Sequence, residues 1–576
     1  MILEALVKQY ENLAAQGKVS REGWCQAKVS YAINLSREGE ITGIVSLKRM
    51  EERGKKNVSV PVPRTVPEMV TRSSGVAANF LCDNSKYLLG IDKEGTNKRI
   101  LECFQAAKER HQSLLKGVPG EMAEAVFQFF GNWNPEKAAE CSVVKENWDD
   151  LTDGGNLIFC MGMREAQEDA SIREAWENAQ SSGEETAEGI CLVTGKRAEI
   201  CRIHRTIKGV PGAQSSGAAL ISFNSPAFES YGKEQSYNAP VGKYAQFAYT
   251  TALNDLLSHR EYTFQLGDSM IVFWAENGAE EYQKAFTFFA DPKPDNQKIL
   301  EDIFDNLKKQ RAIRIDEIEL DPEQKFYILA LAPNAARLSV RFFYRDSFGT
   351  ILDNLSRHYQ RMEMVRPAWE TRTFLSIRSM LFETVNQKAK DKSPISNMAS
   401  KVFEAIISGN RYPASLYTDT LIRIRAEQGN VTWGRASILK AYLIQNFQWE
   451  EGETYMGLNE ESKNTAYILG RLFAVLEGIQ QDANPGINAT IRDRFFNTAC
   501  TAPASVFPVL IRLKNSHMKK LERDKAGAKI YYEKLLTELM GKLEDFPKRL
   551  SLEEQGKFDL GYYHQTQKRY EKREEK

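Results

Sequence analysis

Between Ile207 and Leu257 the chain reads IKGVPGAQSSGAALISFNSPAFESYGKEQSYNAPVGKYAQFAYTTALNDLL, and this stretch limits the fold more than any other. Its first half is almost entirely small residues and turn formers. Gly209, Gly212 and Gly217 surround Gln214, Ser215 and Ser216. Glycine tolerates positive φ and lets another backbone or a ligand come close, while serine and glutamine add donors and acceptors. A short strand over Ala219–Phe223 is expected next, then a second loop from Asn224 to Gly242 holding Gln235 and Asn238. A helix closes the unit, with Phe247, Leu253, Leu256 and Leu257 on its apolar side. Two long polar loops pinned between a strand and a helix are a common setting for recognition residues. The competing reading is a large surface loop tied down for stability.

The 576 residues are 42% hydrophobic and 27% charged, enough for several domains. Lys and Arg number 77 and balance 77 Asp and Glu, which excludes a simple polycation that coats nucleic acid but not a local basic face. Residues 511–576 carry 17 Lys/Arg against 12 Asp/Glu, so the basic excess sits at the C-terminal end. Eight cysteines occur without a CxxC pair, and the start MILEALVKQYENLA is an amphipathic helix, not a signal sequence. This implies a reducing cytoplasm and free thiols. No run of about twenty apolar residues exists, so no membrane span is expected.

Taken in order, Val29, Tyr31, Ile33 and Leu35 alternate at strand spacing, Ser36–Gly39 turns, Ile41–Leu47 returns, and Asn57–Pro61 offers a third antiparallel strand. In Thr71–Ile91, Arg72, Ser73, Ser74 and Gly75 form a small polar loop and Asn79 precedes Phe80–Leu81. This is either a turn into a buried segment or a loop that presents Asn79 and backbone amides. Residues 95–150 are mostly helical, Asn156–Met161 is a strand, and Thr194–Lys196 turns a hairpin. Ser269–Ala275 is a buried strand, and Lys325–Ala332 with Leu338–Tyr344 makes a hairpin across Pro333–Ala336. Arg337, Arg341 and Arg345 share strand parity, which places all three on one face. Such a face suits phosphate, although carboxylate-paired surface fits the same pattern. From Gly349 the pattern is helical to the end, with a Glu-rich break at Glu450–Thr454. The fold class is therefore α+β: a mixed region with antiparallel sheets over residues 1–348, a helical connecting region over 349–455, and an all-α bundle over 456–576.

No Walker A loop, GxGxxG after a strand, HExxH or GxSxG is present, and the six histidines fall in no ligand pattern. Cys201 and His204 are close in sequence but lack a second pair, so packing cysteines and a satisfied histidine are favoured over zinc. No cofactor and no metal are expected. The conspicuous residues are glycine, serine, asparagine, glutamine and arginine, which bind and rarely break bonds alone. A nuclease using a metal-binding carboxylate cluster is the alternative class.

GVPGAQSSGAALISFN, AFESYG and NAPVGKYAQFAYTTALN resemble the large subunit of type I-C CRISPR surveillance complexes (Cascade), the Csd-type family. The resemblance extends to SSGVAANFLCDNSKYLLG, CLVTGKRAEICRIH, LAPNAARLSVRFF, and AYILGRLFAVLE through IRDRFFNTACTAPASVFPVL. It implies a non-catalytic subunit that checks the protospacer-adjacent motif on double-stranded DNA, helps open the duplex into an R-loop, and docks the helicase-nuclease. Guide RNA, the complex's backbone subunits and its guide-5′-end subunit are the implied partners. Base pairing would read sequence while protein reads a short motif, and small polar loops can reach minor-groove acceptors. The candidate DNA contacts are then Arg72, Ser73, Ser74, Gly75 and Asn79 in one loop and Gln214, Ser215, Ser216 and Gly217 in another. Asn224, Asn334, Arg337, Arg341 and Arg345 join them, and Arg471, Arg492, Arg494, Lys519 and Lys520 do so in the bundle. The resemblance further implies a small subunit made by internal initiation, for which Met456 is placed as a start.

Overall fold

The computed structural model describes residues 2–53, 56–70, 75–181, 187–290, 313–315, 318–395 and 397–571. It is a mixed α+β protein, with antiparallel sheets in the first part and helices in the second. The chain divides into two compact units. One comprises Tyr10–Arg202 and Glu229–Thr251; the other comprises Met1–Gln9, Ile203–Phe228 and Ala252–Lys576. The central stretch expected to form one unit is thus shared, with 207–228 and 252–257 in the second and 229–251 in the first.

The first unit is built on the twelve-residue strand Trp24–Leu35. Its C-terminal half pairs antiparallel with Ile41–Ser46, and its N-terminal half with Val62–Pro67. Its other edge pairs with Asn156–Met161 in parallel, which departs from the purely antiparallel sheet expected. Parallel pairing requires a long crossover, and the helices Lys98–Leu115 and Glu121–Asn132 lie within it. Alternation sends Tyr31, Ile33 and Leu35 into a core with Phe104, Phe129, Phe130 and Phe159, while Val29, Ala32, Ile158 and Cys160 form a smaller cluster. Gly39 has a φ of +79°, and any side chain there would overlap the backbone at Phe129, so glycine is required at this turn. Lys56–Val60 pairs with Arg49–Arg53 as a separate hairpin and does not join the sheet.

The second unit holds a four-stranded antiparallel sheet in the order Thr263–Leu266, Ser269–Ala275, Lys325–Asn334 and Arg337–Ser347. The chain enters the helix Phe348–Met362 directly, and the Ser347 hydroxyl accepts from Thr350 N as an N-cap. From there the described residues are helical, and the last of these helices is Leu552–Tyr570. One continuous core runs from Leu266 and Phe273 in the sheet to Phe558 and Tyr563 in that last helix, with no break at 348 or 455. The helix Thr465–Ala483 is buried on nearly every side, as a helix apolar all round must be. Tyr562, Tyr563 and His564 are buried, and their partners are Glu477 Oε2 at 2.7 Å, the Val365 carbonyl at 2.8 Å and the Tyr467 hydroxyl at 2.9 Å.

Among the described residues no helix is long and apolar enough to cross a membrane, and no three His, Cys, Asp or Glu side chains come together as a metal site.

Candidate nucleic-acid interface

The Gly-Ser loop of the second unit is closed at its base. Ile207 and Ala218 exchange both backbone hydrogen bonds, at 2.8 and 2.9 Å, and the Thr206 hydroxyl donates to the Ser216 carbonyl at 3.1 Å. Gly217 has a φ of +99°, and a Cβ there would lie 2.7 Å from the Thr206 hydroxyl. Gly212 has a φ of +80° and faces Pro333. Both glycines are therefore demanded by the turn they make. Gln214, Ser215 and Ser216 are left exposed at the tip, while Gly217 is buried.

The strand expected over Ala219–Phe223 does not form. A single parallel bridge joins Ala219 to Arg337: Ala219 N donates to the Ala336 carbonyl and Leu338 N to the Ala219 carbonyl, both at 2.9 Å. The segment is apolar enough for a strand, but among the described residues it makes no ladder beyond Ala219, so it joins only at the hairpin turn. That bridge sets the Gln214 loop beside the turn that carries Asn334, which is exposed, and Ala335, whose φ is +52°. Asn224 comes to the same place. Its Oδ1 accepts from Arg337 Nη2, and the Arg337 guanidinium lies 4.5 Å from the centre of the Phe228 ring. Arg337 is thereby held flat and part-exposed, with donors to spare. Lys208 and Arg205 are also exposed here; their spacing before the glycines in RTIKG was the available signal, and sequence reasoning passed over them.

The three-arginine face is corrected by the pairing. Register slips between Ala330 and Leu331, so Arg341 is a bulged residue without a Cα partner. Each bulge reverses the side-chain parity beyond it. Arg337 pairs with Asn334 but Arg345 pairs with Tyr327, an odd number of residues away, and the two arginines stand on opposite faces. Arg341 itself is tied to Asp268 at 2.7 Å.

The other candidates fall into two groups. Asn79 is buried: its Oδ1 accepts from Val70 N at 2.9 Å and its N donates to Asp83 at 3.0 Å. It closes the base of its loop and does not present its amide. Gly75 is exposed with a φ of +90°, and Arg72, Ser73 and Ser74 lie outside the described residues. In the bundle Arg471 is fully buried, bound to Gln565 and Glu538, so it is a core ion and not a surface contact. Arg492 is half-buried against Tyr562 and Glu477. Lys520 donates to Asn484 at 3.0 Å, and Arg494 and Lys519 are exposed. Periodicity cannot distinguish a buried cation from an exposed one when both sit among apolar residues.

The fold and this surface define a mixed α+β protein in which a loop and a hairpin turn, joined by one bridge, bring amide, hydroxyl and guanidinium donors together. The family model described as CRISPR-associated protein (Cas_Csd1) matches residues 6–570, and the chain belongs to that family. Among curated proteins nothing matches the chain.

Proposed function

We propose that this chain is the large subunit of a type I-C CRISPR surveillance complex and that its Gln214 loop and Asn334 turn check the protospacer-adjacent motif on closed duplex DNA. In this reading the chain helps open the duplex, supports R-loop formation and docks the helicase-nuclease, and it performs no bond cleavage itself. The observation that carries the reading is the Ala219–Arg337 bridge, which holds two amide-bearing tips beside one part-exposed guanidinium. Gln and Asn can donate to and accept from minor-groove edges, whereas Arg337 and Lys208 suit phosphates. Arg494 and Lys519 suit sequence-tolerant contact with the displaced strand.

The test is binding by the reconstituted guide-RNA complex to a motif-bearing duplex and to the same target with a pre-opened bubble. Gln214→Ala and Asn334→Ala should each weaken duplex binding by about 1–3 kcal/mol and bubble binding much less. Equal loss on both targets would remove motif reading from these tips.

A further inference from the structure

In the first unit the turn after the N-terminal helix, the strand Val62–Pro67 and the start of the helix Ala170–Ser181 enclose a cavity of about 570 Å³. That volume is ordinary for a small-molecule site. Its polar lining is asymmetric, and the reason can be followed atom by atom. Arg64 Nε donates to Glu165 Oε1 at 2.8 Å, and Glu165 Oε2 accepts from Gln167 Nε2 at 2.5 Å. A carboxylate can only accept, so the Gln167 amide must turn its NH₂ toward Glu165. Its carbonyl oxygen Oε1 is then left buried with no partner, on a side chain that is 3% exposed. The Ser20 hydroxyl, also in the lining, is likewise buried without a partner. Buried acceptors without a donor are costly and rare in folded proteins.

The same cavity holds cations that have no paired acid among the described residues. Arg21 and Arg173 line it, and neither has a hydrogen-bonded or ion-paired side-chain partner among the described residues. Arg173 is oriented by the Trp24 ring, 5.8 Å from its centre, and Trp24 is in turn anchored to Glu177 on the same helix at 3.3 Å. Glu165 is matched by Arg64, and among the described lining residues Glu168 is the one other acid, so these residues keep a positive surplus.

We propose that this cavity binds a ribose phosphate unit, with the phosphate on Arg21 and Arg173 and a ribose hydroxyl donating to Gln167 Oε1. Two guanidiniums can share one phosphate, whose three terminal oxygens and higher charge serve both, whereas a carboxylate offers two oxygens and one charge. A fixed buried carbonyl selects a ligand with a hydroxyl donor, and the 2′-hydroxyl is the group that separates a ribonucleotide from a deoxyribonucleotide. A free ribonucleotide and a nucleotide of an RNA strand share this chemistry. The site lies apart from the Gln214 loop and needs no duplex, so this inference and the proposed function can fail separately.

Calorimetric titration of the full chain with AMP, dAMP and inorganic phosphate tests it, alongside 5′-phosphorylated ribo- and deoxyribo-oligonucleotides. AMP should bind about tenfold more tightly than dAMP. Gln167→Leu should erase that preference, and Arg21→Ala, at an exposed position that leaves the fold intact, should weaken AMP by about tenfold. Tighter binding of the ribo-oligonucleotide than of AMP identifies an RNA strand as the source, and the reverse identifies the free nucleotide. Three results would overturn the assignment: no AMP binding at millimolar concentration, equal affinity for AMP and dAMP, or an equal loss on Arg197→Ala, which removes a charge elsewhere in the same unit.

Discussion

Gly470 faces the main-chain carbonyl of Phe558 so closely that any side chain at 470 would overlap it, and Gly561 stands in the same relation to the carbonyl of Tyr467. The helices Thr465–Ala483 and Leu552–Tyr570 therefore cross backbone to backbone, with one glycine from each at the contact. Neither neighbour is a flexible side chain that can move aside. Gly470→Ala and Gly561→Ala should each cost about 3 kcal/mol, read as a lower urea midpoint at constant slope. Gly527→Ala, in a helix with open space around it, should be neutral or stabilising by about 0.5–1 kcal/mol. A similar loss at all three positions would mean that helix propensity and not the crossing is being measured.

Asp559 should make this protein less stable as pH rises. It is fully buried beside Cys500, 3.6 Å from the sulfur, and burial raises its carboxyl from the ordinary 3.8 to about 8, with Cys500 and Arg425 offsetting part of the effect. The folded state thus keeps a proton that the unfolded chain has lost between about pH 4 and about pH 8. Stability contributed by this group is complete below that window and declines through it. Asp559→Asn should flatten the slope by up to about 1.4 kcal/mol per pH unit in denaturation curves taken across the window. An unchanged slope would show that the carboxyl is ionised in the fold.

On the proposed DNA surface, the bulge at Arg341 separates two arginines that share a strand. Arg337→Ala should lower affinity for every duplex sequence and reduce the salt dependence of binding by about one ion. Arg345→Ala, on the opposite face, should leave the salt slope unchanged. Asn224→Ala, which frees the Arg337 guanidinium to move, should have a smaller effect in the same direction. Anisotropy titrations over a salt series distinguish these outcomes, and equal slopes lost at 337 and 345 would refute the face assignment.

The segment from Met456 onward, proposed as a separately initiated small subunit, is not a free-standing core. Val365 N donates to the Met456 carbonyl at 2.6 Å, the buried Lys440 ammonium lies 3.3 Å from the Met456 sulfur, and Tyr417 reaches the Leu552 carbonyl at 2.8 Å. A product beginning at 456 would uncover the surface that these contacts bury. Expression of the intact gene should yield a short co-purifying chain that disappears on Met456→Ala, and the short chain alone should unfold at lower denaturant than the same helices in the full chain. A short product that persists in the mutant would rule out this start.

The alternation of Tyr31, Ile33 and Leu35, and the helical pattern after Gly349, were enough to specify the first strand and the helical character of the second part. Those signals are local, because burial of one face repeats every two or 3.6 residues. The glycines around Gln214 likewise announced a tight loop, since φ near +90° leaves little other choice. What the loop lies against was decided by the tertiary structure. The Ala219 bridge depends on a hairpin more than a hundred residues away, and no local pattern encodes that partner. The same limit explains Asn79, Arg471 and Arg345. A polar residue in a small loop, a cation on a helix and an arginine on a strand look alike in sequence whether they face solvent, a carboxylate or the core. One bulge at Arg341, the Val70 N–H that donates to Asn79 and the Glu538 carboxylate that pairs with Arg471 settle which, because side-chain direction is set by pairing register and burial, and both are properties of the assembled chain.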